Sequence, residues 1–166
     1  MTTRSPAWFA VWTRSRAEAR VMAQLREKNI EAFLPTITRW SRWKDRKKQV
    51  DWPLFPGYCF VRITREEALA VQKCTGVVQI LTDRGVLAAV PDREIADIRT
   101  LVTSEMAYDP CPLIAIGDLV EVVRGPLRGV TGRLTRKGAS ARLVLAINLL
   151  GLGVSLQVDA ADVRPY

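Results

Sequence analysis

Histidine is missing from all 166 residues of this chain. That absence excludes a Ser-His-Asp triad, a Cys-His pair, an HExxH helix and every imidazole-ligated metal site. The three cysteines, Cys59, Cys74 and Cys111, are odd in number and show no CxxC spacing, so they suggest neither a zinc knuckle nor a disulfide framework and read as free structural thiols. No GxxxxGK[ST] or GxGxxG string occurs, and the Gly151-Leu152-Gly153 stretch lies in a strand-like context, so phosphate-cradling loops are absent too. No apolar run approaches the roughly 18 residues of a membrane span, and the residues before Trp8 lack the apolar core of a signal peptide. The expectation is a protein that is not an enzyme, holds no metal or cofactor, touches no membrane and works in the cytoplasm as a monomer.

What is present points to a folded, basic binding protein. An apolar content of 48% suffices for one ordinary domain or two small ones. The net charge of +8 is unevenly spread: residues 1–50 hold 12 Lys and Arg against 4 Asp and Glu, residues 51–112 hold 6 against 9, and residues 113–166 hold 7 against 4. The cationic excess therefore sits at the front, where it makes an electrostatic footprint for nucleic acid or an acidic protein surface.

Trp8-Phe-Ala-Val-Trp-Thr13 reads as a strand with two largely apolar faces. Ser15-Arg-Ala-Glu18 has the spacing of a capping box, and Ala17, Val21, Met22 and Leu25 recur at helical intervals up to Lys28-Asn29. Extended arms at 35–40 and 48–52 flank a charged tip, the pattern of a protruding hairpin. A strand at 58–63 follows the Pro56-Gly57 break, and Thr64-Arg-Glu-Glu67 repeats the capping-box spacing before a short helix. Short strands at 77–81 and 86–90 precede a helix from Pro91-Asp92, with Ile95, Ile98, Leu101 and Val102 on one stripe. Residues 105–116, with two prolines and no periodicity, read as a linker. Beyond it, five short strands at 117–123, 129–134, 141–147, 154–158 and 162–164 fit a small β-barrel.

The expected class is α+β: an antiparallel sheet covered by helices in a ferredoxin-like domain at 1–104, then an SH3-like barrel at 117–166. In the hairpin, Arg39, Arg42, Lys44, Arg46, Lys47 and Lys48 interleave with Trp40 and Trp43. Cations suit phosphates and indoles can stack on unpaired bases, each worth ~1–3 kcal/mol. A solvated tip with one tryptophan folded back on the sheet is the plainer alternative.

Gly117-Asp118, the alternating strand after it, and Arg124-Gly125-Pro-Leu-Arg-Gly129-Val-Thr-Gly132 resemble the KOW motif of the NusG family and of several ribosomal proteins. The sharp turn at Gly125-Pro126 and the position of Gly129 call for a conformation or close approach that a Cβ would resist. Trp8-Phe-Ala-Val-Trp12 with its following helix, and Pro53-Leu-Phe-Pro-Gly-Tyr58 with Cys59-Phe-Val61, resemble the N-terminal domain of NusG and of its specialised RfaH-like paralogues. Helix 92–104 looks like the closing helix of that domain, and the resemblance spans about residues 8–164.

That resemblance implies a transcription elongation, antitermination or termination factor with two contacts. The front domain would bind the clamp helices of RNA polymerase through Trp12, Phe55, Tyr58 and Phe60, suppress pausing and lay the hairpin on upstream or non-template DNA. Singly, each aromatic fits core packing as well. The barrel would recruit a ribosomal protein or termination factor through Ile147, Leu149, Leu150 and Leu152, where core packing is again the alternative, and Leu143–Leu150 could also be written as a helix. One feature departs from RfaH-like proteins: in place of a polar, threonine-containing patch at the second helix the chain has Arg65-Glu-Glu-Ala-Leu-Ala-Val71. A KOW-type RNA- or ribosome-binding protein acting without polymerase is the alternative function.

Overall fold

The two six-residue segments Trp8–Thr13 and Tyr58–Ile63 are largely apolar on both faces, and such segments become the interior strands of a sheet. In the computed structural model, the described residues are 5–43, 46–104, 106–112, 117–137 and 140–166; for 39–43, 46–48, 112, 136, 137 and 140 only the backbone is described. Contacts divide the chain into two units, Met1–Pro91 and Asp92–Tyr166.

In the first unit β1 (Ala7–Thr13) is followed by α1 (Glu18–Glu27), β2 (Glu31–Phe33), the ribbon β3 (Thr36–Trp43) and β4 (Arg46–Pro53), and β5 (Tyr58–Ile63). A 3-10 turn at Arg65–Glu67 leads into α2 (Ala68–Gln72), then β6 (Val77–Ile80), β7 (Thr82–Asp83), β8 (Val86–Leu87) and β9 (Ala89–Val90). The main sheet runs β2-β5-β1-β6 with β9 also on β1, and its pairings are antiparallel. Phe9 and Val11 of β1 pack with Val21 and Leu25 of α1 and with Cys59, Val61 and Ile63 of β5, so the helical stripe read from the sequence is the stripe that is buried.

One strand is additional and one local expectation changes. Strand β2, too short to show alternation in the sequence, pairs with β5 through Ala32↔Val61. The capping box expected at Ser15 does not form: the N-cap of α1 is Ala17, with no side-chain cap, because Arg16 takes a left-handed φ of 61° and the Glu18 carboxylate turns inward. At Thr64 the box does form, Glu67 accepting from the Thr64 amide at 2.8 Å.

The second unit opens with α3 (Asp92–Thr103), whose Ile95, Ile98 and Leu101 are buried and which packs beside β13. The sequence places this helix at the end of the front domain; by contacts it groups with the strands after it. Those are β10 (Asp109–Pro112), β11 (Asp118–Val122), β12 (Thr131–Lys137), β13 (Ser140–Ile147), β14 (Leu152–Val158) and β15 (Val163–Pro165), in the order β10-β14-β13-β12-β11-β15. The five expected strands are all there. β10 is additional and lies in the stretch read as a linker: prolines obscure it in the sequence, yet an edge strand tolerates them because one row of its amides has no ladder partner to satisfy. Arg142 of β13 ties it down, donating to Ser155 Oγ at 3.0 Å and pairing with Asp109 at 3.4 Å. Of Leu143–Leu150, for which a helix is the alternative, residues 143–147 are strand and Asn148–Leu150 form a 3-10 turn.

Candidate functional site

The turn that precedes β5 is built by covalent preference. Pro56 and Gly57 occupy its two central positions, Gly57 has a φ of 86°, and the Tyr58 amide donates to the Phe55 carbonyl at 3.0 Å, which together make a type II turn. Both peptide groups of Gly57 are held. Its carbonyl accepts from the Thr13 amide at 2.8 Å, and its amide donates to Glu18 Oε1 at 2.8 Å. The turn therefore abuts the end of β1, where Trp12 is in register with Tyr58.

Trp12 is 43% exposed and Tyr58 half-buried. Phe55 and Phe60 are not surface residues: both are fully buried, in edge-to-face contact at 6.1 Å and 86°, and Phe33 lies 6.4 Å from Phe60. The expectation of direct partner contact is corrected for both to core packing, since a ring without accessible surface cannot meet a partner. Behind the turn, burial pushes the Cys59 thiol up to about 12, and the nearby Glu18 charge and Cys74 add to it; this cysteine is inert.

Beside the start of α1 opens a groove of about 550 Å³ lined by Arg14, Ser15, Arg16, Ala17 and Arg20 on one side and Cys74, Thr75, Gly76 and Val77 on the other. Two links fasten its walls: the Arg14 amide donates to the Gly76 carbonyl at 2.8 Å, and the Gln24 side chain bonds both the amide and the carbonyl of Thr75 at 2.8 Å. The three guanidinium side chains belong to exposed residues, an arrangement suited to phosphate. The sequence reading missed this groove. Its only advance signal was Arg14-x-Arg16-x-x-x-Arg20 within the cationic first fifty residues, because the opposite wall lies some sixty residues away.

In the hairpin, the β3–β4 register pairs Arg39 with Val50, Trp40 with Gln49, Arg42 with Lys47 and Trp43 with Arg46. The side chains of Arg39, Trp40, Arg42, Trp43, Arg46, Lys47 and Lys48, and all of Lys44, lie outside the described residues. Trp52, opposite Ile37, is described and exposed.

In the second unit, the KOW-motif glycines divide into two kinds. Gly125 and Gly129 have φ of 84° and 91° with open space around them, so conformation alone requires glycine. At Gly117 and Gly132 an added Cβ would lie 2.3 Å from the Leu134 carbonyl oxygen and 2.5 Å from that of Val144, so the neighbouring strand excludes it. Asp118, beside Gly117, is exposed at the start of β11. Of the apolar residues expected to meet a partner, Leu149 is 36% exposed and Leu150 and Leu152 are half-buried. Ile147 is corrected: it is fully buried at the end of β13, where strand alternation turns it to the core. Helix α3 meets the same sheet through polar groups. Arg93 donates to Thr131 Oγ1 at 3.0 Å and stacks 5.0 Å over the Tyr166 ring, Asp97 accepts from the Thr131 amide at 3.4 Å, and Glu94 accepts from Asn148. Partial burial holds the Asp97 carboxyl above the ordinary value, against the lowering effect of the Thr131 amide and Arg93.

Among the described residues no cluster of acids and cysteines could hold a metal, and no helix is long and apolar enough to cross a membrane. A comparison with curated protein sequences found no match. Among solved structures the chain is similar to that described as "Domain interaction in Thermotoga maritima NusG", with 20% identity over 96% of this chain and 97% of that one and a TM-score of 0.54, which supports the fold. An MjSpt4:Spt5 complex aligns over 96% of this chain and 97% of that one at 20% identity, but its TM-score of 0.29 carries no weight. Residues 6–99, more than half the chain, match the family model described as "Transcription termination factor nusG", and the chain thus belongs to the NusG family.

Proposed function

We infer that this NusG-family transcription factor binds RNA polymerase through its first unit, at the clamp helices, and suppresses pausing during elongation. The observation that carries the reading is the exposed Trp12 beside Tyr58 and the type II turn, seated on the buried Phe55–Phe60 pair. A large rigid aromatic on a packed base gives contact area at little entropic cost. The cationic hairpin and the Arg14–Arg16–Arg20 groove suit the phosphates of upstream or non-template DNA. Leu149, Leu150 and Leu152 of the second unit offer apolar surface to a ribosomal protein or termination factor. The chain works by binding and not by turnover, in the cytoplasm where polymerase is found.

The test is binding of the full-length chain to purified bacterial core RNA polymerase, with pause lifetimes measured on a defined template. The expected result is a complex whose pauses shorten, and a Trp12→Ala variant weakened about 30-fold, the equivalent of an anchor worth ~2 kcal/mol. A folded chain with no measurable affinity for core polymerase overturns the reading. One observation favours a second one, an RNA-binding protein acting without polymerase: the arginine groove needs no polymerase to hold a phosphate. Salt-sensitive RNA binding that survives Trp12→Ala and Tyr58→Ala, without polymerase affinity, would select it.

A further inference from the structure

Glu18 is the one buried acidic or basic side chain of the first unit among the described residues. Burying a carboxylate costs stability unless hydrogen bonds or nearby positive potential replace the lost water. Here both are at hand. Glu18 is the first residue of α1, whose free amides carry the positive end of the helix dipole, and its Oε1 accepts the Gly57 amide at 2.8 Å across 39 residues of sequence. In a type II turn the amide of the second central residue is not used by the turn itself, so an outside acceptor must satisfy it. Glu18 supplies that acceptor.

The far side of the same residue is also fixed, through Thr13 N–H to the Gly57 carbonyl at 2.8 Å. Gly57 thus couples three elements: α1 through Glu18, the end of β1 through Thr13, and the start of β5 through Tyr58. Trp12 and Tyr58 are the immediate neighbours of those two pinned positions, and an added Cβ on Gly57 would stand 4.0 Å from Trp12 Cδ1. A helical capping role does not explain the residue, because α1 has no side-chain cap.

We propose that Glu18 is a positioning residue for the partner-binding face: its carboxylate locks the Pro56–Gly57 turn so that Trp12 and Tyr58 are presented together in one arrangement. The inference rests on the polymerase-binding reading of that face. Without the acceptor the Gly57 amide must find water, the turn loosens, and affinity falls although neither aromatic has changed.

The test compares full-length Glu18→Ala, Glu18→Gln and Trp12→Ala for affinity to purified bacterial core RNA polymerase, with the Gly57 amide resonance and its hydrogen exchange followed by NMR. In Glu18→Ala the expected result is a tenfold or greater loss of affinity in a chain that still melts cooperatively above the assay temperature, with a shifted Gly57 resonance and faster exchange. Glu18→Gln keeps an acceptor oxygen and should recover affinity to within about threefold, together with the Gly57 protection. Should Glu18→Ala fail to fold, Glu18→Asp, one methylene too short to reach, carries the same expectation. Loss of affinity in Trp12→Ala with none in folded Glu18→Ala overturns the positioning role and leaves the binding face standing. Unchanged affinity in Trp12→Ala overturns the face itself, and the positioning role with it.

Discussion

Gly57 of the first unit and the pair Gly117 and Gly132 of the second are required by different physical means, while Gly125 and Gly129 of the second unit turn in open space. At Gly57 in the first unit there is room for a Cβ, and the turn is kept by hydrogen bonds, one of them to a buried carboxylate. At Gly117 and Gly132 in the second unit no room exists, because a backbone carbonyl of the adjacent strand occupies the place of the side chain. The first arrangement can relax by exchanging a partner for water; the second can relax only by moving a strand. The difference suits a turn pinned to a helix and two strands in one case and a small sheet whose register must not slip in the other.

The largest expected effect breaks the second unit. Gly132→Ala sets a Cβ against the Val144 carbonyl and should cost about 3 kcal/mol, near the upper end for overpacking, read as a drop in denaturant midpoint for amide signals of 118–165. Gly57→Ala meets no steric obstacle and costs only its left-handed φ, about 1–2 kcal/mol, with signals of the first unit responding. If the two variants cost the same, the distinction between the crowded strand glycine and the hydrogen-bonded turn fails.

Smaller still is the effect of Asp97→Asn. A carboxyl whose folded pKa is raised lends its full stability while protonated, below the unfolded value near about 4, and loses it as pH rises through the folded pKa. Wild type should therefore lose ground against Asp97→Asn between acid and neutral pH, and pH-independent difference in melting temperature would contradict the burial. The smallest perturbation is chemical. An alkylating reagent on native protein should label Cys111, half-buried, before Cys59 and Cys74, which are buried in the first unit and react only on unfolding.

Much of this was legible in the sequence where local chemistry decides the outcome. Strand β5 begins at Tyr58 because Pro56-Gly57 can only turn, and Thr64 and Glu67 close their capping box within one helical turn. The glycines of 125–132 also announced themselves, although whether conformation or crowding required each was visible only in three dimensions. What escaped was decided at a distance. Ser15 and Glu18 have the same spacing as Thr64 and Glu67, yet Glu18 goes to a turn 39 residues away because that turn has an amide to satisfy. Phe55 and Phe60 could not be told from Trp12 and Tyr58 by residue type, since an aromatic serves a core and a surface equally. The arginine groove has walls from 14–20 and 74–77 and exists only once those segments meet.

The sheet of the second unit ends, among the described strands, in β10 on one side and β15 on the other, and both contain proline: Pro110 and Pro112 in the first, Pro165 in the second. Proline has no amide proton to offer an incoming strand. Fibril growth or dimer formation by strand addition would therefore find each border short of donors, so a freshly made chain can complete this sheet without a neighbouring chain becoming its seventh strand.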